Sequence, residues 1–190
     1  MSTQVGTGAP RQEVEVKYQV LDTAAVLSTL AARGVELSAP FGQDDQAYAP
    51  VGWDYGQSKI DVPFARLRTE GAVHLFTVKK PLTNDMACLE CQSEVSDRDQ
   101  MHEALLAMGF RPTVRILKTR RTGMFGDISV CLDEVRGAGT FLEAERIIDA
   151  DQSGEAAQRH LDQRIQSWDM PLRRAVDTYD SLIRAALLDR

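Results

Sequence analysis

Short runs in which charged and apolar residues alternate recur along this chain, and they constrain its fold more than any other feature. In Glu13-Val14-Glu15-Val16-Lys17 every second residue is charged, with Val14, Val16 and then Tyr18 in the alternate positions. Successive side chains of a strand point to opposite faces, so such a run makes a strand with one charged and one apolar face. A single strand of this kind has an ordinary reading as a surface strand with its outer face in water. The same i, i+2 placement returns at Arg66 and Arg68, at Lys118 and Arg120, and at Glu143 and Glu145, while Lys79, Glu90 and Asp133 sit in strand-like runs of their own. Where the opposite face is apolar, as at Val14 and Val16 or Leu142 and Ala144, it can pack beneath helices and leave the charged face lining an interior.

With 190 residues the chain can form one domain with a sizeable core. Residues 1–10, rich in Ser, Thr and Gly, read as a flexible lead, and residues 11–190 as the domain. A first strand at about 11–20 is followed by Asp22, placed to cap a helix whose Val26, Leu27, Leu30 and Ala31 share a face, with Gly34 at its end. Residues 40–63 read mostly as loop, with a short strand at Gln46-Ala47-Tyr48 and with Trp53 and Tyr55 as packed anchors. A hairpin over Phe64–Arg68 and Val73–Lys80 turns at Glu70-Gly71, and Leu89–Val95 forms a further strand. Ser96 then caps a helix ending at Gly109, and strands follow at 113–121, 126–133 and 140–148. Ala157, Leu161, Ile165 and Trp168 mark one late helix, and a last one covers about 178–188. Two rounds of strand, helix and further strands predict an α+β fold, an antiparallel sheet or barrel with helices packed outside.

Composition removes several classes of function. The net charge of -6 argues against wholesale nucleic-acid binding, so any basic site must be local. No run of about 18 apolar residues occurs, and Met1–Pro10 lacks the parts of a signal peptide, which predicts a cytoplasmic protein with no membrane partner. Cys88, Cys91 and Cys131 make no disulfide framework, and the CxxC formed by the first two lacks a second pair for zinc. His74, His102 and His160 fall in no motif and read as surface or packing residues. Neither GxxxxGK[ST] nor GxGxxG is present, which excludes the two common nucleotide-binding loops.

An interior lined by charges of both signs is stable only if something neutralises it. A metal-bound triphosphate meets that need: carboxylates suit Mg2+ or Mn2+, and Arg and Lys suit phosphate oxygens and the charge that develops in phosphoryl transfer. Residues 111–121 add five basic residues and no acid in an otherwise acidic chain.

These residues resemble the CYTH family, which unites class IV adenylyl cyclases with thiamine triphosphatases among the triphosphate tunnel metalloenzymes. Glu13-Val14-Glu15-Val16-Lys17 matches the family's ExExK signature. In order along the chain follow Arg66-Leu67-Arg68, Thr77-Val78-Lys79, Glu90, Lys118-Thr119-Arg120-Arg121, Leu132-Asp133-Glu134-Val135, Gly139-Thr140-Phe141-Leu142-Glu143-Ala144-Glu145 and Thr178-Tyr179-Asp180-Ser181-Leu182. The resemblance implies an eight-stranded antiparallel β-barrel whose tunnel holds a triphosphate. It implies that Glu13, Glu15, Asp133, Glu143 and Glu145 hold Mg2+ or Mn2+, and that Lys17, Arg66, Arg68, Lys79, Lys118 and Arg120 bind phosphate. Glu13, Glu15 and Lys17 are the expected catalytic set, with Lys17 or a carboxylate as candidate proton acceptor, and Glu90 lies near a family carboxylate.

Residues 105–121 and 133–141 look most like the class IV cyclase branch, although Ala9-Pro10-Arg11-Gln12 stands where some cyclases carry a His-Phe pair. The implied reaction is ATP to cyclic AMP and pyrophosphate, with hydrolysis of thiamine triphosphate, a nucleoside triphosphate or tripolyphosphate as the alternative. A tunnel that binds nucleotide or polyphosphate without turnover is a third reading. An outer barrel face left uncovered by helices would allow a homodimer.

Overall fold

The computed structural model describes residues 11–85, 87–149 and 151–188; the expected lead at residues 1–10 lies outside them. Nine strands and four helices follow in order among these residues. They are β1 (Arg11–Val20), α1 (Thr23–Ala32), β2 (Phe41–Pro50), β3 (Phe64–Glu70), β4 (Val73–Pro81), β5 (Ala87–Val95) and α2 (Arg98–Ala107). Then come β6 (Phe110–Phe125), β7 (Ile128–Val135), β8 (Gly139–Asp149), α3 (Gly154–Gln166), β9 (Leu172–Ala175) and α4 (Tyr179–Leu188).

Eight of the strands close into an antiparallel ring in the order β5-β4-β3-β2-β6-β7-β8-β1, sealed where Gln12–Val14 of β1 pair with Ala87–Leu89 of β5. The same edge of β1 then leaves β5, and Lys17–Val20 pair with β9 instead. Closure removes free strand edges, and a side chain's alternation decides whether it points into the ring or out of it.

Most of the apolar core lies outside the ring. Val16 and Tyr18 of β1, Val130 and Leu132 of β7, and Leu142 and Ala144 of β8 pack against Val26 and Leu30 of α1 and Leu161 and Ile165 of α3. A second cluster joins Tyr48, Ala65 and Leu67 to Leu105 of α2. Each fully buried aliphatic side chain contributes about 1.5–3 kcal/mol, so these outer layers carry much of the fold's stability. A third cluster sets Tyr179 and Ile183 of α4 against Val114, Ile116, Val135 and Phe141.

Several elements depart from the pattern-based expectations. β2 is a ten-residue strand, not three residues inside a loop; its buried Gln43 and Asp45 face the polar interior, so no apolar alternation marks it. A register shift between Gln46 and Tyr48 disturbs the pattern further. β6 runs for 16 residues because its charged and apolar positions both find buried partners. The cap of α2 is Asp97, which accepts from the backbone N–H groups of Asp99 and Gln100, rather than Ser96. β9 has four residues with no alternation of its own and forms by docking on β1.

Gly123 of β6 crosses the segment after α1 so closely that an added Cβ would meet the Glu36 carbonyl oxygen at 2.8 Å and Val35 Cγ1 at 2.9 Å. Backbone cannot yield there as a flexible side chain would. Gly123→Ala should therefore cost about 1–3 kcal/mol, read as a lower midpoint in urea unfolding with unchanged slope; an unshifted midpoint would show that this contact is loose.

Candidate active site

Ladder register brings the charged positions to one interior surface. Glu15 lies opposite Glu145 and Lys17 opposite Glu143 across β1 and β8, while Arg120 faces Asp133 across β6 and β7. Asp45 pairs with Arg68 across β2 and β3, and Lys79 with Glu90 across β4 and β5. The interior cavity holds about 370 Å3. Ten of the eleven expected site residues line it, and so does Glu90, whereas Asp133 lies behind the wall.

Glu13, Glu15 and Glu145 each offer one carboxylate oxygen, and these three oxygens lie within 4.8 Å of one another. Burial and the nearby Glu143 raise the Glu15 carboxyl above its ordinary value. Burial, then Glu13 and Glu143, push Glu145 up to about 8. Burial also acts to raise Glu13, but Lys79, whose Nζ donates to Glu13 Oε1 at 2.6 Å, outweighs it and holds this carboxyl low. Three carboxylate oxygens so close together, two of them on groups with raised proton affinity, are a set that a divalent cation would fit, since a hard cation takes carboxylate oxygens at short range and relieves their repulsion.

Asp133 and Glu143 stand apart from that group. Asp133 is fully buried and accepts a fork from Arg120, at 2.6 and 2.5 Å, and a bond from Lys118 Nζ at 2.9 Å. Glu143 accepts from Arg120 and lies 3.2 Å from Lys17 Nζ. Burial acts to raise Glu143, but Lys17 and Arg120 hold it well below the usual carboxylate range. Both acids are thus committed to cations of this chain.

The basic residues differ in how fully they are paired. Arg68 gives both arms of its fork to Asp45, each at 2.7 Å. Lys79 bridges Glu13 and Glu90, the latter at 2.7 Å. Arg66 donates to Thr77 Oγ1 at 3.3 Å and lies 3.8 Å from Glu90, and its buried Nε has no hydrogen-bond partner among the described residues. Burial acts against the charge of Lys17, but Glu15 at 3.0 Å and Glu143 push its pKa up to about 12.

Charge alternation did not single out Asp45, Lys59 or the site role of Tyr179. Asp45 had a signal: it stands two residues from Gln43, on one face of a strand. Trp53, read as an anchor, donates Nε1–H to the Ser58 carbonyl at 3.1 Å, meets Phe64 edge-on at 4.9 Å and forms part of the cavity wall. Lys80 and Arg121 leave the interior as alternation requires, pairing with Asp61 and the Ser38 carbonyl. Cys88 is buried and Cys91 exposed, both as free thiols.

A closed ring whose interior carries paired cations beside a group of carboxylates has the donor set that a polyanion and a metal ion require. Residues 11–167 match the CYTH domain, and the chain belongs to that family. Its members are adenylyl cyclases or triphosphatases, so this is a CYTH-type phosphoryl-transfer enzyme. The chain is 26% identical over 138 residues to MJ0240 of Methanocaldococcus jannaschii, provisionally named an adenylate cyclase, covering 72% of this chain and 77% of that one. It is 27% identical over 145 residues to the adenylate cyclase CyaB of Aeromonas hydrophila, covering 70% and 68%. The solved structure of HpAC1 from Hippeastrum, described as having a dominant triphosphatase activity, is similar with a TM-score of 0.61 at 15% identity over 91% of this chain and 95% of that one. Among the described residues no helix is long and apolar enough to cross a membrane.

Because Glu145 is raised to about 8, it is mostly protonated at neutral pH in the metal-free protein, and a cation must displace that proton. Metal affinity should rise as pH increases towards about 8 and level off above it, with proton release at neutral pH. Calorimetric Mn2+ titrations in buffers of different ionisation enthalpy read both effects, and Glu145→Gln should weaken binding and flatten the pH dependence. Affinity that is flat with pH in the native protein would remove Glu145 from the metal group.

Proposed function

We propose that this protein is a divalent-metal-dependent adenylyl cyclase of the class IV type, with Mg2+ or Mn2+ held by Glu13, Glu15 and Glu145. The supporting observation is the convergence inside one cavity: three carboxylate oxygens lie within 4.8 Å of one another, and cations line the same cavity. Pure anion binding would need the cations and not the converging acids. When bound, the metal would polarise phosphate oxygens and offset charge on the leaving pyrophosphate.

In the cyclase reaction the ribose 3'-hydroxyl of ATP attacks the α phosphorus and gives its proton to a carboxylate of the cavity, the bond to the β-phosphate oxygen breaks, and pyrophosphate leaves. Arg66, with an unpartnered buried Nε, and Lys79 are placed to grip phosphate oxygens. Lys118 and Arg120 sit on the far wall, tied to Asp133, and offer their remaining N–H groups. Lys17 remains an ammonium at neutral pH, which suits it to stabilising charge rather than to accepting a proton. Asp133 and Glu143 hold these cations in place. Trp53 and Phe64 supply an apolar wall against which the organic part of a substrate can lie.

The alternative is a triphosphatase, in which water attacks the terminal phosphorus and orthophosphate leaves. Its support is the fold shared with HpAC1, since the same ligands would serve either reaction with the triphosphate shifted along the tunnel.

Incubation with ATP, thiamine triphosphate and tripolyphosphate plus Mg2+ or Mn2+, followed by phosphorus NMR, separates the readings. Cyclic AMP with pyrophosphate is the expected result; orthophosphate would replace the cyclase with the hydrolase, and no product would leave a binding module. Glu13→Gln combined with Glu15→Gln should lower turnover by about 1,000-fold or more. Full activity in that variant, or in excess chelator, would sink the metal assignment.

A further inference from the structure

The first turn of α4 brings an aromatic residue against two of the cavity's cations. Tyr179 is buried and lines the cavity. Its ring centroid lies 4.2 Å from Lys17 Nζ and 4.8 Å from Lys118 Nζ. Its hydroxyl donates at 3.0 Å to Asp133 Oδ2, the oxygen that also accepts from Lys118. Phe141 meets the ring edge-on at 5.4 Å, which fixes its plane.

The turn is pinned from the other side of the cavity. Lys59, on the connection between β2 and β3, donates to Thr178 Oγ1 at 2.7 Å and to Ser181 Oγ at 3.1 Å. It also lies 3.5 Å from Asp85 and 3.6 Å from Asp180. Tyr179 thus has a fixed place although it arrives on the last helix of the chain.

Two ammonium groups in one buried site repel; Glu15 and Glu143 flank Lys17 and Asp133 holds Lys118, and the ring lies against both ammonium groups. The negative face of an aromatic ring offsets positive charge without accepting a directional hydrogen bond from every N–H. Of the three N–H groups on each ammonium, Lys17 meets two carboxylates and Lys118 one, so donors remain on both. We propose that Tyr179 is a positioning residue that sets the spacing of Lys17 and Lys118 and leaves part of their donor capacity free for a triphosphate. This inference rests on the triphosphate reading of the cavity.

Tyr179→Phe keeps the ring and removes the hydroxyl, whereas Tyr179→Met fills similar volume without an aromatic face. Calorimetric titration of the metal-free protein with inorganic tripolyphosphate reads the lysines without any turnover. Mn2+ titration reads the carboxylates, and thermal melting checks folding, with Tyr179→Leu as the substitute if the Met variant does not fold. The Phe variant should bind tripolyphosphate within about threefold of the native protein, and the non-aromatic variant about 10- to 100-fold more weakly. Mn2+ affinity should stay within about threefold in both, and KM for any triphosphate turned over should follow the tripolyphosphate affinity.

A folded non-aromatic variant that binds like the native protein overturns the inference, as does a tenfold or greater loss in the Phe variant, about 1.4 kcal/mol. Native protein that binds tripolyphosphate but turns over no triphosphate would refute the enzymatic reading and leave this inference standing. Absence of tripolyphosphate binding by the native protein would overturn it.

Discussion

The structure depends on pairing charges of opposite sign inside a closed sheet. A single unpaired charge in that interior would cost several kcal/mol, and removing one partner of a buried pair typically costs about 3–5 kcal/mol. Arg120 illustrates the solution: it forks onto Asp133, reaches Glu143, and lies 3.9 Å from Glu145. Lys17 and Lys118 are compensated by the same acids. Among the acids, Glu15 and Glu145 are left under electrostatic tension, both raised by burial and neighbouring acids. Metal binding is assigned to the acids that the chain's own cations compensate least.

Such an interior is affordable because most of the apolar energy comes from elsewhere. In most small barrels the inward side chains are the core; here α1 and α3 cover the outward faces of β1, β7 and β8, and α2 covers those of β2 and β3. β1 carries both parts of this arrangement. Its even-numbered side chains bind the helices, its odd-numbered ones enter the site, and its free edge is divided between ring closure and β9.

Alternation made β1 and β8 legible, because Val14, Val16, Leu142 and Ala144 are strongly apolar where Glu13, Glu15, Glu143 and Glu145 are charged. The facing of Glu15 by Glu145 is a matter of register, set by the turns and helices that fix where β8 begins, so no local pattern reports it. β2 was hidden for a different reason: Gln43 and Asp45 face a polar interior, and polar residues on a strand look like a loop. The three-carboxylate group could be narrowed from five acids only in three dimensions, since Asp133 and Glu143 differ from the others by their partners and not by their residue type. Tyr179 was visible as part of a terminal motif, but its place against two lysines depends on how α4 docks.

The central claim is that Glu13, Glu15 and Glu145 hold the divalent ion that a triphosphate meets. Anomalous diffraction from crystals grown with Mn2+ and a non-hydrolysable triphosphate tests it most directly. The account predicts a manganese peak within about 2.0–2.6 Å of oxygens from all three glutamates, with phosphate density towards Arg66 and Lys79. A peak held instead by Asp133 or Glu143, or triphosphate bound with no metal at these carboxylates, would contradict it.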